Sequence, residues 1–335
     1  MLRIFAPLPA AAALAVLLTV AIWSYPRWLP AGFEVNLPLP RPAAAASVQQ
    51  AVREGRIRVP EGFQLGFYAR VRGARMLRAT ARGDLLVSSP GSGEIVLLEA
   101  DEDGSGEPDG AQVLLRGLRR PHGIDLHEGW LYVAETHAFG RIRYDPATRE
   151  LSGTYQRLRE DLPPGGNHWT RTLRFGPDGM LYVSVGSTCN VCIEDDPRRA
   201  AILRFQPDGS APQIFASGLR NAVGFDWDPV SGDLLATDNG RDHLGDDLPP
   251  CELNRVVEGG FYGWPYVNGD GRLDPDFGSL DDPRKKDARG PAHSFRAHNA
   301  PLGLAFADAG WPSPWAGAPL VALHGSWNRS RKDGY

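Results

Sequence analysis

Short apolar strands separated by turn residues recur along most of the chain. Each unit has a first strand, a turn with Gly or Asp-Gly, a second strand, and a further strand after a longer loop. The first four second-strand copies begin 46, 50 and 53 residues apart, which is the length of a four-stranded propeller blade with its loops. The second-strand copies are residues 83–88, 129–134, 179–184, 232–237 and a fainter 318–323, and the first strands before the last four are 122–126, 171–175, 223–227 and 302–306. The pattern predicts an all-β propeller with five visible blades.

Two features interrupt this regularity. The last interval is longer, which predicts an insertion over residues 265–297. The sequence stops at Tyr335 just after a second strand, although the first and last blades of a propeller must meet to bury their edges. We therefore expect the last blade to be incomplete in this chain.

The N-terminus follows a different pattern. Residues 4–23 are uncharged and follow a short basic start, which is typical of a signal peptide or a membrane-anchoring helix. Pro and Ala dominate the next segment, as in a linker. The predicted divisions are 1–24 for a signal peptide or anchor helix, 25–55 for the linker and 56–335 for the propeller. They imply export to the periplasm or to the outer face of the cytoplasmic membrane.

Composition narrows the class of protein. The 335 residues include 39 Gly, 29 Pro and 9 Trp, as expected of a loop-rich β protein with aromatic packing. The net charge of −4 gives no general attraction to nucleic acid. Cys189 and Cys192 form a CxxC pair without a following His, so a local disulfide of structural role is favoured over haem attachment.

Polar residues stand just before successive first strands. The loops entering first strands of a propeller cluster at one mouth of its channel, so we expect these residues to converge there. His and Arg fill a β core poorly, and their repetition favours a wet site over a set of satisfied turn residues. The segments are Arg119–His122, Gly165–Trp169, Gly218–Asn221 and Ala297–Ala300.

At this point a family resemblance emerges. Asn167-His168 with the strands after it, Arg220-Asn221, and the run 239–242 resemble the quinoprotein glucose/sorbosone dehydrogenases, six-bladed propellers that use pyrroloquinoline quinone (PQQ) and calcium. The segment 185–192 and the run 244–250 resemble the sorbosone-dehydrogenase-like branch. The resemblance covers roughly residues 55–335. It implies six blades, more than the repeats themselves reveal.

The resemblance also implies residue roles. His168 matches the general base that removes the proton of the substrate hydroxyl, a task that suits an imidazole. Arg220 matches the guanidinium that holds the reactive carbonyl of the quinone, and Asn221 matches a neighbouring cofactor contact. His122 lies where another family member places a polar side chain against the cofactor. Because PQQ is an anionic tricarboxylate, Arg329 is a candidate for a further basic contact.

Metal ligands are implied in the same way. Gly240 and Arg241 match residues whose backbone carbonyls bind the catalytic calcium, an ion that accepts carbonyl oxygens readily. Glu252 and the Tyr262 carbonyl resemble a second, structural calcium site. The alternative is that Glu252 belongs with Asp246 and Asp247 to a solvated acidic loop.

These matches predict an exported dehydrogenase that oxidises an aldose or a sugar-derived aldehyde such as L-sorbosone. With no haem motif and no cluster spacing in the sequence, electrons are expected to pass from PQQ to an external acceptor such as a quinone or a cytochrome. Two alternatives stay open. A six-bladed calcium lactonase needs a carboxylate and Asn cage on the axis, and a non-enzymatic binding propeller needs no cofactor.

Overall fold

The computed structural model describes residues 54–55 and 57–334, and these residues form a succession of largely antiparallel sheets. The first blade contains β1 (Leu77–Ala79), β2 (Leu85–Ser89), β3 (Glu94–Leu98) and β4 (Ala111–Leu115). The second contains β5 (Ile124–His127), β6 (Trp130–Ala134), β7 (Phe139–Asp145) and β8 (Glu150–Arg159). The third contains β9 (Leu173–Phe175), β10 (Leu181–Val185), β11 (Ala201–Phe205) and β12 (Gln213–Ser217).

The fourth blade is built around an insertion. Its first three strands are β13 (Phe225–Trp227), β14 (Leu234–Asp238) and β15 (Cys251–Val256). The insertion contains β16 (Gly260–Phe261), β17 (Val267–Asn268), β18 (Arg272–Leu273) and a 3₁₀ helix at Pro283–Asp287. β19 (His293–Phe295) then completes the blade, and β20 (Pro301–Phe306) pairs with β21 (Pro319–Leu323) in a further sheet.

The predicted all-β propeller is confirmed, but the blade count was wrong for the residues described. They form four complete blades and two strands of a fifth, not six blades. The predicted insertion was also misplaced, because β19 lies inside it and pairs with β15 as the outer strand of the fourth blade. A three-residue strand carries too little alternation to be recognised from sequence.

The recurrent turn has a clear backbone cause. A Gly lies one or two residues before each of the first four second strands. The φ angles are 89° at Gly83, 75° at Gly129, 73° at Gly179 and 75° at Gly232. Side chains with a Cβ rarely adopt this region, so the tight turn between first and second strands favours Gly.

First strands are innermost and contact one another from blade to blade. Aromatic and aliphatic side chains fill the space between blades, as where Phe139 of the second blade meets Phe205 of the third, with ring centroids 5.0 Å apart. Burying each such side chain contributes roughly 1.5–3 kcal/mol.

A chain of alternating charges also links the first strands. Arg78 of β1 pairs with buried Asp125 of β5 at 2.8 Å, and Asp125 lies 3.7 Å from Arg174 of β9. Arg174 in turn pairs with Asp226 of β13 at 2.8 Å. We call these four residues the charge ladder; it ties four blades together.

The predicted N-terminal helix and most of the linker lie outside the described residues. Within residues 54–55 and 57–334, no helix has the length and apolar character needed to cross a bilayer.

Candidate functional site

The loops entering the first strands do converge, on a cavity of about 310 Å³. His168 comes from the loop before β9, Arg220 and Asn221 from the loop before β13, and Gly240 from the loop after β14. The structure brings His168 and Arg220 together in one cavity, as the sequence predicted. The other lining residues include Arg75, Asn239, Asp242, Cys251, His298, His324 and Trp327.

His168 is held as a neutral base. Its Nδ1 lies 2.9 Å from the Ser187 carbonyl and 2.9 Å from Ser187 Oγ. A carbonyl only accepts, so Nδ1 carries the proton and Nε2 keeps its lone pair. Burial, followed by the positive charge of Arg220, lowers the pKa of His168 to about 3.

Close backbone approach places His168 beside Asn221. A Cβ on Gly186 would lie 2.6 Å from His168 Cβ and 2.7 Å from Asn221 Oδ1. Any residue larger than Gly at 186 would therefore push apart two side chains of the cavity wall.

The Arg220 guanidinium is buried and fully hydrogen bonded. Its Nε donates to the Asn190 carbonyl at 2.8 Å, and its Nη1 donates to the carbonyls of Asn239 and Gly240, both at 3.0 Å. Its Nη2 donates to Asn190 Oδ1 at 2.9 Å and reaches Asp242 Oδ2 at 3.4 Å. These contacts use all five donors of the side chain.

A buried carboxyl group stabilises the backbone of the Arg220-Asn221 turn. Asp238 accepts from the Arg220 amide at 2.8 Å and from the Asn221 amide at 2.6 Å. Burial, followed by repulsion from Glu252, raises the pKa of Asp238 above its ordinary value of 3.8.

The four candidate metal residues meet in one place. Gly240, Arg241, Glu252 and Tyr262 all line a small cavity of about 20 Å³ next to the main one, together with Asp238. Glu252 accepts hydrogen bonds from the Gly269 amide and from Asn254 Nδ2, and burial raises its pKa. Glu252 is buried, whereas Asp247 of the acidic run is exposed. Those two acidic residues are thus in different environments.

The Arg241 side chain points elsewhere. Its Nη1 lies 2.8 Å from both oxygens of buried Asp274 and 2.9 Å from Asp276. Only the backbone of Arg241 is then left for the small cavity.

Two predicted cofactor residues do not line the main cavity. His122 is buried with its Nδ1 3.3 Å from the Arg171 carbonyl and its ring against Trp169. Arg329 pairs with Asp247 at 3.1 Å and donates to the Asp246 carbonyl. Neither residue is among those that line the main cavity.

Sequence reasoning gave no role to the wall residue Asp242, whereas its neighbour His298 belongs to a segment that was predicted to converge here. Asp242 joins Arg220 to His298, whose Nδ1 is 3.6 Å from Asp242 Oδ1. Burial opposes ionisation, but His298 and the charge of Arg220 hold the pKa of Asp242 below its ordinary value. Asp242 follows the recognised Gly240-Arg241 pair directly, and that position was the one signal for it in the sequence.

The cysteines behave as expected. Cys189 and Cys192 form a disulfide in the loop between β10 and β11. Cys251 is a buried free thiol on the wall of the main cavity, and burial raises its pKa.

Comparisons with known proteins agree with this arrangement. Residues 132–324 match the family model described as "Glucose / Sorbosone dehydrogenase". A pyrroloquinoline quinone-dependent pyranose dehydrogenase of Coprinopsis cinerea is 27% identical over 320 residues, covering 78% of this chain and 41% of the relative. The chain spans 61% and 42% of two other curated relatives.

Solved structures share the fold. The holo form of the pyranose dehydrogenase PQQ domain from Coprinopsis cinerea superposes with a TM-score of 0.69 at 22% identity, covering 83% of this chain and 77% of that one. The calcium structure of a Trichoderma reesei carbohydrate-active enzyme of family AA12 superposes with a TM-score of 0.67 at 20% identity, covering 78% and 76%. Because the family match spans more than half of the chain and includes both His168 and Arg220, the chain belongs to the glucose/sorbosone dehydrogenase family.

Proposed function

We propose that this protein is a PQQ- and calcium-dependent dehydrogenase that oxidises an aldose or a sugar-derived aldehyde. The observation that carries the proposal is that His168, whose Nδ1 contact with Ser187 leaves Nε2 unprotonated, lines the same cavity as Arg220. A general base beside a fixed positive charge suits removal of a hydroxyl proton while negative charge develops on an acceptor.

The main cavity fits an anionic cofactor. Its volume of about 310 Å³ falls at the lower end of the usual range for ligand pockets, roughly 300–1,000 Å³. Arg75 and Arg220 both line it, which favours a carboxylated ligand, and the aromatic ring of Trp327 stands at its wall. The charge of Arg220 would attract the cofactor although its N–H donors are already satisfied, and Asn221 would contact it; Arg329 and His122 do not line this cavity.

The residues divide the chemistry between them. When bound, PQQ supplies the two-electron oxidant for the sugar carbon. His168 Nε2 accepts the hydroxyl proton, and Ser187 keeps the imidazole in the correct tautomer and orientation. Arg220 keeps a positive charge at the wall because Asn190, Asn239 and Gly240 fix it there.

The small cavity fits a hard cation. A space of about 20 Å³ holds roughly one water or ion, and its wall offers buried carboxyls and backbone oxygens of the kind calcium binds. The buried carboxyl groups of Asp238 and Glu252 both have raised pKa values when no cation is present. A divalent ion would relieve the repulsion between them. We assign Gly240, Arg241, Glu252 and Tyr262 to calcium on this basis.

We infer that electrons pass to an external acceptor and that the protein works outside the cytoplasm. The disulfide at Cys189–Cys192 supports an oxidising compartment, as does the uncharged N-terminal run. Periplasmic location, free or tethered by that run, follows from the same reasoning.

The lactonase alternative is less well supported. Asn221, Asn239 and Asp242 do line the cavity, as such an enzyme would need. However, Asp242 is the one carboxylate among the residues that line this cavity, and it already pairs with Arg220 at 3.4 Å.

The test is a titration of the full chain with PQQ in the presence of calcium, followed by assays of aldose oxidation with an artificial electron acceptor. We expect quinone absorption to be retained on the protein and turnover to need both additions. Turnover of lactones without PQQ, or no PQQ binding at any calcium concentration, would overturn the proposal.

A further inference from the structure

The loop between β10 and β11 contacts both residues of the proposed chemistry, His168 and Arg220. At its start, the Ser187 carbonyl accepts a hydrogen bond from His168 Nδ1 at 2.9 Å. Three residues later, Asn190 contacts Arg220 with its backbone and its side chain. Both residues lie in the segment 185–192 that resembles the sorbosone-dehydrogenase-like branch, but the resemblance implied no role for either of them.

Asn190 supplies two of the five acceptors around the Arg220 guanidinium, one from its backbone and one from its side chain. Its carbonyl accepts from Arg220 Nε at 2.8 Å, and its Oδ1 accepts from Nη2 at 2.9 Å. The same Oδ1 accepts from the Asp242 amide at 2.8 Å, and its Nδ2 donates to the Asp242 carbonyl at 3.1 Å. One side chain thus clamps both Arg220 and the turn that carries Asp242.

The disulfide explains how a loop residue can do this. Cys189 and Cys192 close a short ring that contains Asn190 and one further residue, which restricts the backbone that presents Asn190. The ring is also anchored on its N-terminal side, because Ser187 Oγ donates to the Cys189 carbonyl at 2.8 Å. Glu194 accepts from Thr188 Oγ1 at 2.7 Å across the ring.

We propose that Asn190, presented by the Cys189–Cys192 ring, is a positioning residue that fixes the Arg220 guanidinium and the Asp242 turn at the cavity wall. A long guanidinium side chain has many rotamers, and preorganising it removes that cost from ligand binding and from the reaction. The significance for catalysis rests on the proposed function. The positioning itself is a property of the protein without cofactor. Reduction of the disulfide should therefore loosen Arg220.

The first experiment compares Asn190→Leu with Asn190→Asp. Leu has a similar size and cannot accept a hydrogen bond, whereas Asp keeps an oxygen for Arg220 Nη2 and the Asp242 amide. We expect Asn190→Leu to raise the dissociation constant for PQQ about tenfold or more, the usual consequence of losing a hydrogen bond to a charged group. Asn190→Asp should recover most of the affinity. Asp195→Ala, an exposed change in the same loop, serves as the matched control and should match the wild type.

A second readout needs no cofactor. The chain is treated with 2,3-butanedione, which modifies accessible arginines, and each arginine peptide is followed by mass spectrometry. Arg220 should be protected in the wild type and react about tenfold faster in Asn190→Leu. Exposed Arg116 reports the reagent, and buried Arg171 reports that the fold is intact.

The disulfide is tested by a Cys189→Ser/Cys192→Ser double variant, which also covers the case in which Asn190→Leu fails to fold. Faster modification of Arg220 with Arg171 still protected would support the proposal. Unchanged protection of Arg220 in Asn190→Leu and in the double variant would overturn it, as would equal losses of PQQ affinity in Asn190→Leu and Asn190→Asp. If wild-type protein binds no PQQ, the proposed function fails while the modification experiment still decides the role of Asn190.

Discussion

At the scale of single residues, the site depends on how neighbours set charge and tautomer. His168 and Arg220 lie in one cavity, yet only one of them is charged at neutral pH. Burial and the nearby guanidinium keep the imidazole neutral, and Ser187 leaves Nε2 free as a proton acceptor. The unprotonated imidazole is the form that can accept a hydroxyl proton, and a pKa this low also makes it a weaker base than a free imidazole.

Replacing the base should separate chemistry from binding. In His168→Gln the side-chain amide can still face Ser187 but cannot take up a proton at neutral pH. We expect turnover to fall by roughly a hundredfold or more, with PQQ affinity nearly unchanged, in steady-state oxidation of aldoses beside a PQQ titration. Near-normal turnover at saturating PQQ would remove His168 from the mechanism.

The titration of His168 gives a separate prediction. With its pKa lowered to about 3, the imidazole is already neutral at pH 5, so its NMR signals in the cofactor-free protein should not change between pH 5 and pH 8. Arg220→Gln removes a positive charge that disfavours the imidazolium, so the pKa of His168 should rise in that variant. A wild-type midpoint near the ordinary value of 6.5 would contradict the assigned environment.

At the scale of strands and blades, short elements are joined by polar contacts that repeat from blade to blade. The charge ladder uses the second position of each first strand and consists of Arg78, Asp125, Arg174 and Asp226. Asp125 is its most buried member and also accepts from the Phe175 amide at 2.8 Å. This carboxylate therefore joins three blades.

Neutralising Asp125 should loosen these joints. We expect Asp125→Asn to lower the free energy of unfolding by about 2–3 kcal/mol, because two guanidinium groups lose their shared partner. Denaturant unfolding followed by fluorescence measures the change. Glu150→Gln, at an exposed position of β8 in the same blade, should leave stability unaltered. Equal stability of the two variants would show that the ladder contributes nothing.

At the scale of the whole molecule, the main cavity and the small acidic cavity share Arg220, Asn239 and Gly240 in their walls. A cation in the small cavity would therefore act on the residue that holds the proposed cofactor. It would also remove an electrostatic cost, since Asp238 and Glu252 face each other with raised pKa values.

Calcium should accordingly stabilise the fold in a pH-dependent way. The folded pKa values of these carboxyls lie above their ordinary values of 3.8 and 4.5, so metal-free stability should fall as the pH rises above that range. At pH 7.5, calcium should raise the melting temperature by several degrees in calorimetry against EDTA. Glu252→Gln should abolish the increase, whereas Glu150→Gln should keep it. A calcium effect that survives in Glu252→Gln would remove this carboxylate from the site.

The sequence alone determined the repeat and the family. The Gly-led second strands, the first strands and the residues before them are local patterns, and they predicted the all-β propeller, the disulfide and the meeting of His168 with Arg220. Local patterns could not predict how many blades the described residues complete, because short outer strands such as β19 are defined by their pairing rather than by their residues.

Only the tertiary structure decided which polar side chains line the cavity and which contact other residues. His122 and Arg329 come from different loops and contact other partners, while Asn190, Asp242 and His298 reach the wall or Arg220 from separate loops. The orientation of a loop side chain depends on hydrogen bonds to residues distant in sequence. Asn190 and Arg220, 30 positions apart, are an example. Strand periodicity does not encode such bonds. The sequence therefore indicated what chemistry each residue could perform, but it did not indicate which residues would contact it.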